Sequence, residues 1–408
     1  IKIVTRRCPW LPLLRRFIGT VRSNNDMSEF LIKPKIQFGT NALNFLSGLT
    51  ARRAFVVTDK AMVKFGFADK VTEKLMQRGI EFQIYDDVAS DPDISAIVSG
   101  MKIMDAHYPD LVIALGGGSV IDAAKAVMYS LWHTRKEHSR SKPQFIAIPT
   151  TSGTGSEVTS FSVIKSRSEK LVLVDEFMLP DIAILDPELV KSVPPAITAD
   201  TGMDVLCHAL EAYVSKAASD FSDAMAEKAV KLVFSHLLDC HHQGDNLLAR
   251  EKMHNASCIA GMAFTNASLG ITHSLAHALG GVFHVPHGRA NALLMTHVIA
   301  FNANLHGDCN SEAAKRYAYL AQSLGLPAQT VKEGVISLIV AINVLKDEMG
   351  MPKSIRDTGV SEADFYARLT EMVGQALRDS CTPTNPRDVN THQLETLYRQ
   401  AFAGVSHS

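Results

Sequence analysis

The chain has no surplus of charge, no long apolar run and no paired cysteine motif, and each lack closes off a class of protein. Its 41 basic and 42 acidic side chains leave a formal net charge of -1, so there is no general electrostatic footprint for nucleic acid. No uninterrupted apolar stretch is long enough to span a bilayer. The six cysteines, Cys8, Cys207, Cys240, Cys258, Cys309 and Cys381, include no C-x-x-C pair. That is the pattern of a reduced, cytoplasmic protein. No internal repeat and no low-complexity tract is present. The usual dinucleotide fingerprint, G-x-G-x-x-G, is also missing.

What is present suits a globular protein of two domains. The 408 residues are 46% hydrophobic and 20% charged, ordinary values for a chain with proper cores. Residues 1–26 differ: Lys2, Arg6, Arg7, Arg15, Arg16 and Arg22 are interleaved with Trp10, Leu11, Leu13, Leu14, Phe17 and Ile18, and no acid precedes Asp26. Such a start can be a targeting or surface-binding segment; we read it as a basic extension that contributes little to the fold. Beyond it, strands alternate with helices. Strands are predicted at Ile32 to Phe38, Ala54 to Asp59, Ile80 to Tyr85, Leu111 to Leu115 and Phe145 to Ile148, with helices over Ala61 to Arg78 and Ile94 to His107. This alternation predicts an α/β domain with a mainly parallel, Rossmann-like sheet covered on both faces. Tyr129 to Pro143 reads as a solvated helix end and loop, and Lys165 to Lys170 as a hairpin turn with Leu171 to Val174 returning. From Pro187 onward, runs such as Ser222 to Leu238, Arg250 to Ala263, Glu312 to Leu324 and Thr391 to Ala403 carry apolar residues at helical spacing. The boundary is therefore expected near Leu185, dividing an α/β domain, 1–185, from an all-helical one, 186–408.

Two groups of residues carry chemistry. In the helical half, Asp204 and His208 stand four apart, as do His273 and His277, and His287 follows in a Pro-His-Gly stretch that suggests a turn. Residues four apart share a helix face. A carboxylate with three imidazoles suits a borderline divalent metal such as Fe(II) or Zn(II). A single His on an apolar helix is more often a core residue, and His241-His242 near Cys240 reads as a polar helix end. Cys207 points away from Asp204 and His208 and reads as packing. In the α/β half, Gly116-Gly117-Gly118-Ser119 joins a strand to a helix. Glycines let the backbone approach a pyrophosphate, and the free N–H groups at the helix start donate to it. The bland alternative is a tight strand–helix turn. Asp59 ends an earlier strand, where a carboxylate can accept ribose hydroxyls and repel a 2'-phosphate, favouring NAD over NADP; it can equally cap the next helix. Pro149 to Thr159 is rich in Thr, Ser and Gly, suited to holding phosphates or to forming a capped loop.

Three stretches together resemble the iron-containing (group III) alcohol dehydrogenase family: Gly116 to Asp122, Pro149 to Thr159, and the His-x3-His-x9-Pro-His-Gly segment from His273 to Gly288. The resemblance runs from about Phe30 to Ala401. It implies that Asp204, His208, His273 and His287 bind the metal, iron before zinc, and that His277 lies near the nicotinamide as a proton relay. It places Asp59 at the adenosine ribose, Thr150, Thr151 and Thr159 against the nucleotide, and Lys170 near a ribose. Phe161 and Phe264 become pocket walls, and Phe161 leans towards plain aliphatic alcohols. The expected activity is reversible hydride transfer between a small alcohol or aldehyde and NAD, in a homodimer or larger homo-oligomer with neither nucleic acid nor membrane as partner. Two rivals remain. A dehydroquinate-synthase-type lyase shares the fold but needs several Lys and Arg for an anionic substrate, and Arg289 is the lone candidate. A non-catalytic nucleotide-binding protein has no need for a complete ligand set.

Overall fold

The computed structural model describes residues 29–90, 92–134, 141–166, 169–405 and 407, the side chains of 166, 169 and 170 excepted. The basic extension, 1–26, lies outside the described residues, and residues 32–408 form one unit.

Short apolar runs build the sheet. In chain order the strands and helices of the first half are β1 (Lys35–Phe38), β2 (Arg53–Val57), α1 (Lys60–Lys64), α2 (Phe67–Gln77), β3 (Glu81–Tyr85), α3 (Ile94–His107), β4 (Leu111–Gly116), α4 (Gly118–Thr134), β5 (Gln144–Pro149), β6 (Phe161–Ser166), β7 (Glu169–Val174) and β8 (Ile182–Leu185). Six strands pair in the order β1-β8-β5-β4-β2-β3, and every pairing is parallel. Successive side chains of a strand point to opposite faces. Phe55, Val57, Val112, Ala114, Phe145 and Ala147 accordingly join one core with α3 and α4. Ala54, Val56, Ile113, Leu115, Ile146 and Ile148 join another with α2. The sheet is thus buried on both sides, as its continuous apolar strands require. A separate antiparallel hairpin pairs β6 with β7.

The second half is helical among the described residues: α5 (Pro195–Val214), α6 (Asp220–His242), α7 (Leu247–Ala267), α8 (Ile271–Phe283), α9 (His287–Asn302), α10 (Glu312–Ser323), α11 (Val331–Glu348), α12 (Glu362–Arg378) and α13 (Thr391–Ala403). Every residue of α5 from Gly202 to Val214 is buried, so this helix is wrapped on all sides. One core gathers α5, α6, α7, α10 and α11; a second gathers α8, α9, α12 and α13.

Three expectations need correction. The helix over Ala61 to Arg78 is two helices, broken at Gly66, whose φ of 75° lies in the left-handed region and ends the first turn run. The helix end expected from Tyr129 is present, α4 continuing to Thr134, but it is packed rather than solvated, with Tyr129, Trp132 and His133 against Phe177; residues 135–140 of the expected insert are outside the described residues. His287 is not in a turn but is the first residue of α9, with Pro286 at its N-cap, a position where a fixed φ is tolerated.

Candidate metal centre and cofactor cleft

Helix periodicity puts Asp204 and His208 on one face of α5, and His273 and His277 on one face of α8. The start of α9 completes the group because Gly288 lets two helices touch. A Cβ on Gly288 would stand 1.9 Å from the Asp200 carbonyl oxygen of α5, so any larger residue would push His287 away. Arg289 then pairs with Asp200 through two hydrogen bonds of 3.1 and 3.0 Å.

One ligand atom from each of Asp204, His208, His273 and His287 lies within 4.8 Å of all the others. The Nε2 atoms of His287, His273 and His208 stand 3.5, 3.7 and 3.9 Å from Asp204 Oδ1. These are too long for hydrogen bonds. They approach the edge of a ligand tetrahedron, about 3.3–3.6 Å when metal–ligand bonds are about 2.0–2.2 Å. Burial opposes charge on Asp204, yet the imidazoles of His208, His287 and His273 hold its carboxyl far below the usual range. Burial pushes His208 down to about 4, against the pull of Asp204, so it is a neutral lone-pair donor at pH 7. For His273 burial is outweighed by its contacts with Cys207, Asp204 and Glu211, and its pKa is raised. The cluster therefore demands positive charge, which a divalent cation would meet. The residues fit such an ion in donor type, spacing and charge.

Carboxylates and amides behind the cluster orient it. Glu211 Oε2 accepts from His273 Nδ1 at 2.6 Å, which turns the Nε2 lone pair towards Asp204. The same carboxylate accepts from the backbone of Gly270 at 2.9 Å and Thr272 at 2.7 Å, capping α8. Asn291 donates from Nδ2 to Asp204 Oδ1 at 2.7 Å and lies 3.2 and 3.3 Å from Nε2 of His273 and His287. Cys207 is buried as expected, but its Sγ is 3.7 Å from His273 Nδ1, so it packs on the back of a candidate ligand rather than away from the site.

His277 is placed differently from its helix partner. Its Nδ1 is 2.8 Å from Asp379 Oδ2, and its ring stacks on His287 at 5.2 Å with planes 12° apart. Burial opposes ionisation of Asp379, but the His277 contact outweighs it and keeps the carboxyl well below its usual range. An ionised Asp379 fixes the proton on Nδ1 and leaves the Nε2 lone pair of His277 available. His277 is not in the four-residue cluster.

The cluster floors a cleft of about 380 Å³. Gly118, Ser119, Thr154, Ser156 and Thr159 also line it, as do His277 and Cys381. Phe161 and Phe264 form one wall, rings 6.4 Å apart and 17° from parallel, and Phe264 stacks on His208 at 4.4 Å. No Lys or Arg is among the cleft's described lining residues. The glycine turn and the Thr-rich loop are neighbours because β4 pairs with β5 up to Gly116 and Pro149. This is the carboxyl edge of the sheet, where open α/β folds hold ligands. Thr150 is buried, and its N–H donates to the Gly116 carbonyl at 3.0 Å; Thr151 packs over Gly117. Asp59 ends the strand run of β2 and caps α1 through 2.8 and 3.0 Å bonds from Ala61 and Met62. Lys170 pairs with Lys165 in the β6–β7 hairpin, but its side chain lies outside the described residues.

Sequence reasoning missed Glu211, Asn291, Asp379 and the buried Lys125. Glu211 stands seven residues from Asp204 and Asn291 four from His287, so helical spacing could have found those two.

Residues 33–187 match the family model for iron-containing alcohol dehydrogenase, and residues 198–402 match the C-terminal model of the Fe-containing alcohol dehydrogenase family. An aldehyde-alcohol dehydrogenase of Streptococcus pneumoniae serotype 2 is 41% identical over 94% of this chain and 47% of its own length. The chain thus spans about half the length of the first curated relatives it matches. A 1-propanol dehydrogenase of Citrobacter freundii is 43% identical, covering 92% of this chain and 100% of the relative. Among solved structures, sulfoacetaldehyde reductase from Bifidobacterium kashiwanohense in complex with NAD+ superposes with a TM-score of 0.80 at 30% identity, over 92% of this chain and 99% of that one. The chain belongs to the iron-containing alcohol dehydrogenase family.

Proposed function

We propose that the protein interconverts a small aliphatic alcohol and its aldehyde, with NAD as hydride carrier and a divalent metal, iron before zinc, held by Asp204, His208, His273 and His287. The observation that carries this reading is a four-ligand cluster in one cleft with Gly118 and Ser119, where the glycine turn starts α4. A bound metal supplies Lewis acidity that lowers the alcohol's pKa. The chain's own residues do the rest. Gly116, Gly117, Gly118 and Ser119 offer backbone amides to the cofactor phosphates; Thr150, Thr151 and Thr159 contact the nucleotide; Lys170 reaches a ribose. Asp59 accepts the adenosine ribose hydroxyls and disfavours a 2'-phosphate. His277, with Nδ1–H fixed on Asp379, takes the alcohol proton at Nε2 and passes it towards solvent. Phe161 and Phe264 present an apolar wall suited to an alkyl chain. The division at 185/186 separates the cofactor-holding half from the metal-holding half. We further place the protein in the cytoplasm, in keeping with its free described cysteines, as a homodimer or larger homo-oligomer.

The absence of Lys and Arg from the described cleft lining argues against an anionic substrate, and hence against the lyase reading. Arg289, the one cation that reading relied on, is committed to Asp200. The test is to load the purified protein with Fe(II) or Zn(II) and follow NADH formation across a panel of short alcohols. Free NADH with ethanol, propanol or butanol is expected. A fully metallated protein that forms none with any alcohol would overturn the reading.

A further inference from the structure

We propose that Lys125 is a positioning residue that ties the phosphate-binding turn to the substrate wall, so that one buried ammonium sets both ends of the cleft. This rests on the dehydrogenase reading given above.

Lys125 lies on α4, two turns past Gly118, and is fully buried. The other buried positions of α4 are Val120, Ile121, Ala123, Ala124, Ala126, Val127, Met128 and Leu131, so a charge here is out of keeping with the rest of the face. A buried charge is costly unless it is paired and hydrogen-bonded. Its Nζ lies 2.6 Å from the Ser156 carbonyl, 2.9 Å from Ser156 Oγ, 3.0 Å from Thr159 Oγ1 and 2.9 Å from the Phe161 carbonyl. All four oxygens belong to the segment that crosses the cleft, and Ser156, Thr159 and Phe161 each line it. Apart from one short 3-10 turn at Ser156–Val158, that segment has no regular structure before β6. Its buried carbonyls need donors from elsewhere, and an ammonium supplies three in a tetrahedral fan.

Asp122, one turn earlier on α4, completes the clip. It accepts from Ser156 Oγ at 2.6 Å and from the Val163 amide at 3.0 Å. The Ser162 hydroxyl donates to the Asp122 carbonyl at 2.8 Å, so the helix that starts in the glycine turn grips the segment at five residues, Ser156, Thr159, Phe161, Ser162 and Val163. Burial pushes Lys125 down to about 8, opposed by the charges facing it, Asp122 on its own helix and Glu157 on the segment. Glu157 is itself pushed up to about 7 by burial and faces Cys258 of α7. Phe161 stacks with Phe264, which stacks in turn on His208. A displacement of the segment would thus move the Thr159 hydroxyl, the apolar wall and the packing of one candidate ligand together.

The test uses the full chain with metal loaded. Lys125→Met keeps the length of the stem and removes the donors. Metal content and helicity should match the parent protein. The KM for NAD should rise, kcat/KM for alcohols should fall on the order of 10²-fold, as for a misplaced reacting geometry, and the preference between ethanol and butanol should flatten. Hydrogen exchange should show lost protection at 156–163 with α5, α8 and α9 unaffected. Lys125→Gln, whose amide retains two donors, should fall between the two and covers the case in which Lys125→Met does not fold. Unchanged NAD affinity, chain-length preference and exchange at 156–163 would overturn the proposal. So would a loss that only follows loss of metal or helicity. If the parent protein oxidises no alcohol, the dehydrogenase reading fails, while NAD affinity and exchange still decide the role of Lys125.

Discussion

The two sides of the cleft solve the same positioning problem with different materials. The candidate metal side uses side chains on three helices, with a carboxylate or amide behind them: Glu211 behind His273, Asn291 against Asp204, Asp379 behind His277. The candidate cofactor side offers backbone and hydroxyls on a turn and an irregular segment, held by Lys125 and Asp122. Rigid helices fix a few atoms closely, which a metal needs. A turn at the carboxyl edge of a sheet exposes amides to a large, extended ligand. The difference teaches that damage on the two sides should be told apart by what is lost first, the ion or the nucleotide.

The largest effect is expected from the helical side. His273→Ala removes a buried donor and takes the imidazole partner from Glu211, so activity and bound metal should vanish together in assays run beside elemental analysis. His277→Ala should be next. It lies outside the four-atom cluster, so turnover should fall by roughly 10²–10⁴-fold in steady-state kinetics, with metal retained. The loss should be greatest at low pH, where hydroxide cannot replace the base. A third, smaller effect belongs to the residues behind the ligands. Glu211→Gln and Asn291→Ala should each weaken metal binding by about 10–100-fold in a chelator competition; an unchanged affinity would show that these contacts are packing alone.

The smallest effect tests the cofactor side, and there the structure refines the choice of variant. Asp59 caps α1, so Asp59→Gly would mix lost charge with a lost cap, whereas Asp59→Asn keeps a capping oxygen and removes only the charge. The ratio of NADP to NAD use should rise severalfold at unchanged thermal stability. A fixed ratio would sever Asp59 from the ribose.

How much of this could be read beforehand follows from the range of each signal. The parallel sheet shows as short apolar runs alternating with helical stretches, the glycine turn as a run of glycines, and the 204/208 and 273/277 pairs as a four-residue helical spacing; all are local patterns and legible for that reason. The break at Gly66 is a local signal too, since a glycine inside a helical run can take the left-handed φ that stops it. His287 at the head of α9 depends on Gly288 meeting Asp200, a contact between segments 88 positions apart that no local period carries. Asp379 lies 102 positions from His277. Lys125 looks like any helix lysine in Asp122-Ala123-Ala124-Lys125; only its burial beneath the Ser156 to Phe161 segment gives it meaning.

The sharpest contrast is between two histidines four residues apart on α8. His273 and His277 are equivalent by spacing, and the cluster includes one and leaves out the other. Metal content by elemental analysis of His273→Ala beside His277→Ala, purified identically after Fe(II) loading, puts that division to the test. His273→Ala should be nearly metal-free and His277→Ala should match the parent protein. A metal-free His277→Ala, or a fully metallated His273→Ala, would contradict the assignment of Asp204, His208, His273 and His287 as the metal-holding set.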